Sequence, residues 1–182
     1  IGDYLARGGL AKAGTDHQAF KDAEKEVADR EKKFLSINGK HSVDHFHKKL
    51  GEIMWNDVGM ARSKESLERA LKAIPELRAQ FWRDVRVPGF GADFNQELEK
   101  AGRVADFFEL AELLAMDALH RNESCGGHFR VEYQTEDGEA KRDDDRFAYA
   151  AAWEWKGAGE PWVLNKEPLA FENIHLQTRS YK

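Results

Sequence analysis

The chain has 182 residues, 41% of them hydrophobic, with 28 Lys and Arg against 33 Asp and Glu for a formal charge of −5. A chain this long buries roughly 70% of its unfolded surface, enough for one good core or two small ones, and its mild acidity argues against general affinity for nucleic acid, which needs a clustered basic face. The single cysteine, Cys125, excludes an intrachain disulfide and a four-thiolate metal site, and no apolar run approaches the roughly 20 residues that span a bilayer.

Residues 1–14 read as a lead-in segment whose helical content the glycines Gly2, Gly8, Gly9 and Gly14 leave open. It has neither the basic start nor the apolar core of a signal peptide, and it opens on Ile1-Gly2-Asp3-Tyr4 without an initiator methionine, as a piece of something longer would. Thr15 and Gln18 fit a capping box, and Phe20, Ala23, Val27, Phe34 and Leu35 share one side of a 3.6-residue period, which predicts a helix over 16–37 ending at Asn38-Gly39. Its opposite face mixes Lys, Arg, Asp and Glu, so it is a solvated face.

Ser42 caps a second expected helix with Val43, Phe46, Leu50, Ile53 and Met54 on its stripe and Gly59 as its stop. Ser63 caps a third, carrying Leu67, Ala70, Leu71, Ile74, Leu77 and Phe81; Pro75 inside it predicts a kink or two shorter helices. After Pro88-Gly89-Phe90-Gly91, a helix over 94–121 is apolar nearly all round, from Leu98 through Phe107, Phe108, Leu110 and Leu114 to Leu119, and is expected to be the most buried. Beyond Asn122 the period changes. Residues 128–133 alternate like a strand before a turn at Glu136-Asp137-Gly138, and 147–155 and 161–164 read as a short hairpin across Gly157-Ala158-Gly159-Glu160, with Pro161 placing the second strand at an edge.

Few constellations carry chemistry. His41, His45 and His47 with Asp44, and His120, Cys125 and His128, contain metal-ligand residue types, but the first group lacks a common face and the second a fourth ligand, so no metal is assigned. Gly89-Phe90-Gly91 is a turn rather than a dinucleotide loop, and there is no Gly-x-Ser-x-Gly nucleophile. No catalytic residue and no cofactor-binding residue is assigned in this chain. One dense segment stands out. In Arg121-Asn122-Glu123-Ser124-Cys125-Gly126-Gly127-His128-Phe129-Arg130, an apolar helix ends in two glycines flanked by guanidinium groups and a carboxylate. Its residue types leave two readings open, a helix C-cap with local ion pairs and a contact site.

That segment resembles the Arg-x-Glu-Ser-Arg-Gly-x-His-x-Arg signature in the C-terminal region of flavoprotein subunits of succinate dehydrogenase and fumarate reductase, with Cys125 standing where the signature has arginine. Ile53-Met54-Trp55, Val58 and Arg62, then Leu67 and Ala70 to Ile74, resemble that region's paired helices; Arg142-Asp143-Asp144-Asp145-Arg146-Phe147 and Asn165-Lys166-Glu167-Pro168-Leu169 resemble its later stretches.

The resemblance, running from about residue 16 to the end, implies a mainly α fold. That fold is an antiparallel three-helix bundle of spectrin-repeat type, followed by an irregular tail with a short β-hairpin. The expected layout is a lead-in over 1–14, a helical bundle over 15–122 and a tail over 123–182. The resemblance also implies a structural C-terminal domain, inactive by itself, in a subunit that interconverts succinate and fumarate. The FAD, the catalytic residues and the dinucleotide-binding glycines would lie elsewhere in the parent chain. The implied partners are the flavin-binding domain of the same chain and, in the parent complex, a membrane anchor and an iron–sulfur subunit; the implied location is cytoplasmic, or the cytoplasmic face of the inner membrane as part of that complex. Arg121, Glu123, Ser124, Gly126, His128 and Arg130 are the candidate domain-contact residues. L-Aspartate oxidase, which shares the Glu-Ser-Arg-Gly type of segment, and a non-enzymatic helical adaptor are the alternatives.

Overall fold

The computed structural model describes residues 1–8, 14–91, 94–157 and 160–177. Gly9 of the lead-in, Ala158 and Gly159 of the expected hairpin loop, and the tail beyond Gln177 lie outside the described residues. The fold is mainly α with one antiparallel hairpin.

A short helix, α1 (Gly2–Arg7), occupies the lead-in, with Asp3 in its first turn and Arg7 in its last, paired at 2.9 Å as the helix dipole favours. Helix α2 (Gln18–Ile37) starts two residues later than expected. Its N-cap is His17, whose ring accepts from the Ala19 amide at 3.2 Å, so the Thr15–Gln18 capping box does not form. At its other end Asn38 adopts a left-handed conformation with φ 46°. A side chain at the following Gly39 would put its Cβ 2.0 Å from the Asp84 carbonyl oxygen, so only glycine fits.

Helix α3 (Val43–Asp57) opens on Ser42, whose hydroxyl accepts from the His45 amide, and α4 (Lys64–Asp84) opens on Ser63, which accepts from the Ser66 amide. Helix α4 runs unbroken through Pro75 rather than dividing in two. The ring costs one backbone bond, and the buried stripe of Leu67, Ala70, Ile74 and Phe81 on both sides of it holds the helix together. Helix α5 spans Gln96–His120 and opens on Asn95, whose side chain accepts from the Glu97 and Leu98 amides.

The chain divides into two compact units, one comprising Ile1–Lys49 and Leu77–Phe107, the other Leu50–Glu76 and Phe108–Lys182. It passes from the first unit to the second within α3, returns within α4 and goes forward again within α5. In the first unit the buried Phe34, Phe46 and Phe81 bring α2, α3 and α4 together, with ring centroids 6.1 Å apart for Phe34–Phe81 and 5.3 Å for Phe46–Phe81, both edge to face. Two-residue strands β1 (His41–Ser42) and β2 (Val85–Arg86) pair in parallel beside this cluster, an element too short for sequence periodicity to reveal.

In the second unit Leu50, Leu67, Ala70, Ile74, Phe108, Ala111, Ala115 and Ala118 form the core. Helix α5, apolar nearly all round, carries the most buried residues of the described helices but is not covered on every side. Its buried residues are mostly alanines, which let neighbouring helices approach closely, whereas Leu110 and Leu114 remain 54% and 55% exposed. Likewise Phe20 and Val27 of α2 are exposed, because no described residue covers its first turns. After α5, residues 128–133 make isolated bridges rather than the expected strand, Cys125 to His128 and Arg130 to Arg62. A four-residue helix, α6 (Asp144–Phe147), is capped by Asp143. The hairpin follows as β3 (Tyr149–Glu154) and β4 (Val163–Pro168), with Tyr149 opposite Pro168 and Glu154 opposite Val163.

Candidate functional site

The segment following α5 lies wholly in the second unit. An α-helix ends with carbonyls that have no partner inside it, and this chain satisfies them with charged side chains from the loop that comes next. Arg130 Nη1 donates to the Ala118 oxygen at 2.9 Å and to the Leu119 oxygen at 3.3 Å, and His128 Nε2 donates to the Arg121 oxygen at 2.8 Å. Arg130 and Glu123 are each 2% exposed, so these bonds sit where water contributes little.

Each buried charge has its counterpart. Arg121 Nε donates to Glu123 Oε1 at 2.7 Å while its Nη2 reaches the Phe147 oxygen at 2.9 Å. The second oxygen of Glu123 accepts from the Asp143 amide at 2.8 Å, so one carboxylate ties the end of α5 to the start of α6. Arg130 Nε donates to Glu132 Oε2 at 3.1 Å, and Glu132 Oε1 accepts from the Lys64 amide at the first turn of α4. Burial works against ionisation of Glu132, but the Lys64 amide and the Arg130 guanidinium overcome it and hold the carboxyl below its usual range. Ser124 closes the loop internally: its hydroxyl accepts from the Arg130 amide at 2.8 Å and donates to the Arg130 oxygen at 3.1 Å.

The tip is a two-residue hairpin turn. Cys125 and His128 exchange both backbone bonds, at 2.8 and 3.0 Å, around Gly126, with φ 59°, and Gly127. Both glycines are exposed and a Cβ at either meets nothing within 4 Å. Since His128 Nε2 faces a carbonyl it carries the proton, and Nδ1 accepts from Arg62 Nη2 at 2.8 Å. The ring is neutral. Burial, followed by the charges of Arg62, Arg130 and Arg121, pushes its proton affinity below the ordinary value, outweighing the bond to the Arg121 oxygen that favours protonation.

All six expected contact residues thus fall in one loop, with Glu123, Ser124 and Arg130 buried, Arg121 and His128 half-buried and Gly126 exposed. Both readings left open by the residue types have a place in it, a helix C-cap with ion pairs at the base and an exposed tip. Sequence reasoning did not assign Arg62, Glu132 or Asp143 to this site. Glu132 carried a signal, standing two residues after Arg130, whereas Asp143 joins through its backbone amide and Arg62 lies 66 residues before its partner His128.

A cavity of about 390 Å³ lies beside the loop, lined by Lys64, Glu68, Leu119, Asn122, Arg130, Glu132 and Tyr133. Its two cations face two carboxylates, so it offers no positive cradle for a pyrophosphate, and the described residues do not fit a flavin dinucleotide there. Elsewhere, the His41 and His45 rings stack at 4.3 Å, His41 is held by Asp84 at 2.5 Å and His47 lies 5.8 Å from Phe107. The Lys40 amide and His41 hold the Asp84 carboxyl below its usual range. His120 contacts the Tyr149 hydroxyl at 3.1 Å rather than Cys125 or His128, and among the described residues no group of three or more His, Cys, Asp or Glu is placed to hold a metal ion. No helix of the described residues is long and apolar enough to cross a membrane.

Known proteins are similar to this chain in sequence and in fold. The family model described as the C-terminal part of the fumarate reductase flavoprotein matches residues 47–181. The fumarate reductase flavoprotein of Helicobacter pylori is 33% identical over 159 residues, covering 87% of this chain and 21% of that protein. A chain of the CoM/CoB fumarate reductase of Methanothermobacter marburgensis is 38% identical over 93 residues, covering 51% of this chain and 17% of that protein. Among solved structures, a quinol fumarate reductase chain of E. coli matches with a TM-score of 0.78 at 22% identity, over 97% of this chain and 28% of that one, a likeness of fold. The chain spans about a fifth of the length of the curated relatives it matches.

Proposed function

Because this chain belongs to the fumarate reductase flavoprotein C-terminal family, we propose that it works as the structural C-terminal domain of a subunit that interconverts succinate and fumarate in electron transport. FAD is held by the rest of the parent chain, and the domain packs on the flavin-binding domain there. The parent complex adds a membrane anchor and an iron–sulfur subunit, which puts the domain at the cytoplasmic face of the inner membrane. The family match runs through the tail to residue 181, which favours this reading over L-aspartate oxidase and over a stand-alone adaptor.

The observation that carries a structural role is where the loop spends its charges. The bonds of Arg121, Glu123 and Arg130 go to helix carbonyls, to backbone amides and to each other, an arrangement that stiffens the loop and leaves its Gly126-Gly127 tip exposed. The base holds its shape, and the tip, with Arg121 and His128 behind it, faces the flavin-binding domain.

The test is made in the full-length parent protein. Gly127→Phe enlarges the tip at a position where a Cβ meets no atom within 4 Å. Flavin retention should fall while the fraction that assembles keeps near-normal turnover. Normal assembly with turnover reduced a hundredfold, about 2.7 kcal/mol in barrier, would place the loop in the chemistry instead.

A further inference from the structure

In the same second unit Arg62 differs from every other arginine of the loop network. Its backbone is built into the site: its amide donates to the Phe129 oxygen at 3.2 Å and its oxygen accepts from the Val131 amide at 2.9 Å. Its side chain, however, has only neutral partners. Nη1 donates to the Val58 oxygen at 3.3 Å and Nη2 to His128 Nδ1 at 2.8 Å, which accounts for two of the five N–H groups of a guanidinium. The Nε atom is buried and unpaired. Arg121 and Arg130 each have a carboxylate, in Glu123 and Glu132, whereas among the described residues none lies within ion-pair distance of Arg62. Burial and the neighbouring Arg130 charge both disfavour its cation, with Asp117 a partial offset.

Close to this half-buried cation along the chain and across its backbone bridge stand exposed apolar residues. Met60, two residues away, is 92% exposed; Trp55, one turn before Val58, is 82% exposed; and Val131, bonded to the Arg62 oxygen, is also exposed. Tryptophan, methionine and arginine are the residues enriched at the centre of protein interfaces, where an apolar rim excludes water from a charged anchor.

We infer that Trp55, Met60, Arg62 and Val131 form a docking surface for a protein segment that presents a carboxylate among apolar side chains. Resting on the reading above, its source is the flavin-binding domain of the parent chain. The unspent N–H groups of Arg62 suit a carboxylate, and the exclusion of water by the rim strengthens the pair. A free anion would leave the apolar rim uncovered. A second copy of this chain fits less well, because Asp117, Glu132 and Asp57 are engaged already, by Trp153, Arg130 and Arg69. The neutral His128 ring holds the guanidinium in place from behind.

The experiment uses the full-length parent protein, and its readout is the flavin retained after gel filtration in mild urea. Met60→Glu and Trp55→Ala alter side chains that are almost fully exposed, so neither variant disturbs the fold of the domain itself. Each is expected to lower retention at least tenfold. Arg62→Glu sets a carboxylate against the partner's carboxylate, so a single Asp or Glu to Lys replacement in the flavin-binding domain should restore retention in that variant. Full retention in Met60→Glu and Trp55→Ala, or loss in Arg62→Glu that no acidic-to-lysine replacement restores, overturns the inference; so does loss explained by self-association of the wild type through this patch in light scattering. A wild-type parent protein that carries no flavin would instead overturn the reading on which the inference rests.

Discussion

Two stretches of the second unit invert the usual distribution of polar and apolar groups. The loop over residues 121–132 buries charge, with Glu123 and Arg130 almost fully enclosed, whereas the last turns of α5 leave Leu110 and Leu114 open to solvent. Buried charge is tolerated only when every partner is supplied, and here the loop supplies them from within the chain. Exposed carbon is tolerated singly, but a stripe of it marks a face that something else covers. The charges of residues 121–132 are therefore matched within the chain, whereas Leu110 and Leu114 of α5 stay uncovered among the described residues. The first kind of region gives the unit stiffness, and the second leaves apolar area open.

The sharpest way to break the comparison is to remove one member of the buried set. Glu123→Ala leaves Arg121 without its carboxylate and the Asp143 amide without an acceptor, and should cost about 3 to 5 kcal/mol of stability. A urea midpoint within error of wild type would show that the loop does not hold the tail to α5. Ser124→Ala, fully buried, removes two bonds to the Arg130 backbone and should cost about 1 to 3 kcal/mol by the same measurement.

Legibility in the sequence follows the same division. Periodicity finds α2 to α5 and the hairpin, because one apolar stripe per helix and a turn between two strands are local signals, and the Ser42 and Ser63 caps are local too. Periodicity cannot say which side of an apolar helix is covered. That is why α5 reads as central although its buried face is largely alanine. The loop is legible as a cluster of charges but not as a network, since its bonds run to Arg62, Lys64 and Asp143, residues remote in the chain or set by the turn that returns it. The parallel pair formed by His41–Ser42 and Val85–Arg86 leaves no trace in the sequence, being two residues long and held by the fit of Gly39 against Asp84.

A smaller effect concerns pH. The folded protein holds the His128 ring neutral with its proton affinity depressed, while the unfolded chain protonates near the ordinary value of 6.5. As the pH falls below 6.5 the unfolded state takes up the proton first, so the stability is fully present above that value and is lost as the pH drops toward the lower folded value. His128→Gln can keep both bonds, donating to the Arg121 oxygen and accepting from Arg62, without titrating. Between about pH 5 and 6.5, above the range where carboxylates titrate, the variant should show a flatter dependence of its urea midpoint than the wild type. Parallel slopes would mean that the ring is not held neutral between Arg62 and the Arg121 carbonyl.

The smallest effect on stability is expected at Leu114. Read from the pattern of α5 alone, this side chain belongs to a core helix and its loss would cost about 2 to 5 kcal/mol. In the structure it is more than half exposed, beside Ala115 and Ala111, which are the residues the helix buries. Truncating it removes little contact and opens no enclosed cavity, so Leu114→Ala should shift stability by under about 0.5 kcal/mol, the range of ordinary surface substitutions. Phe108→Ala, one face away on the same helix and fully buried, should cost about 3 to 5 kcal/mol. Comparable urea midpoints for the two variants would show that Leu114 is covered within the chain itself. The outer face of α5 would then be core, and the contrast with the charged loop that follows it would disappear.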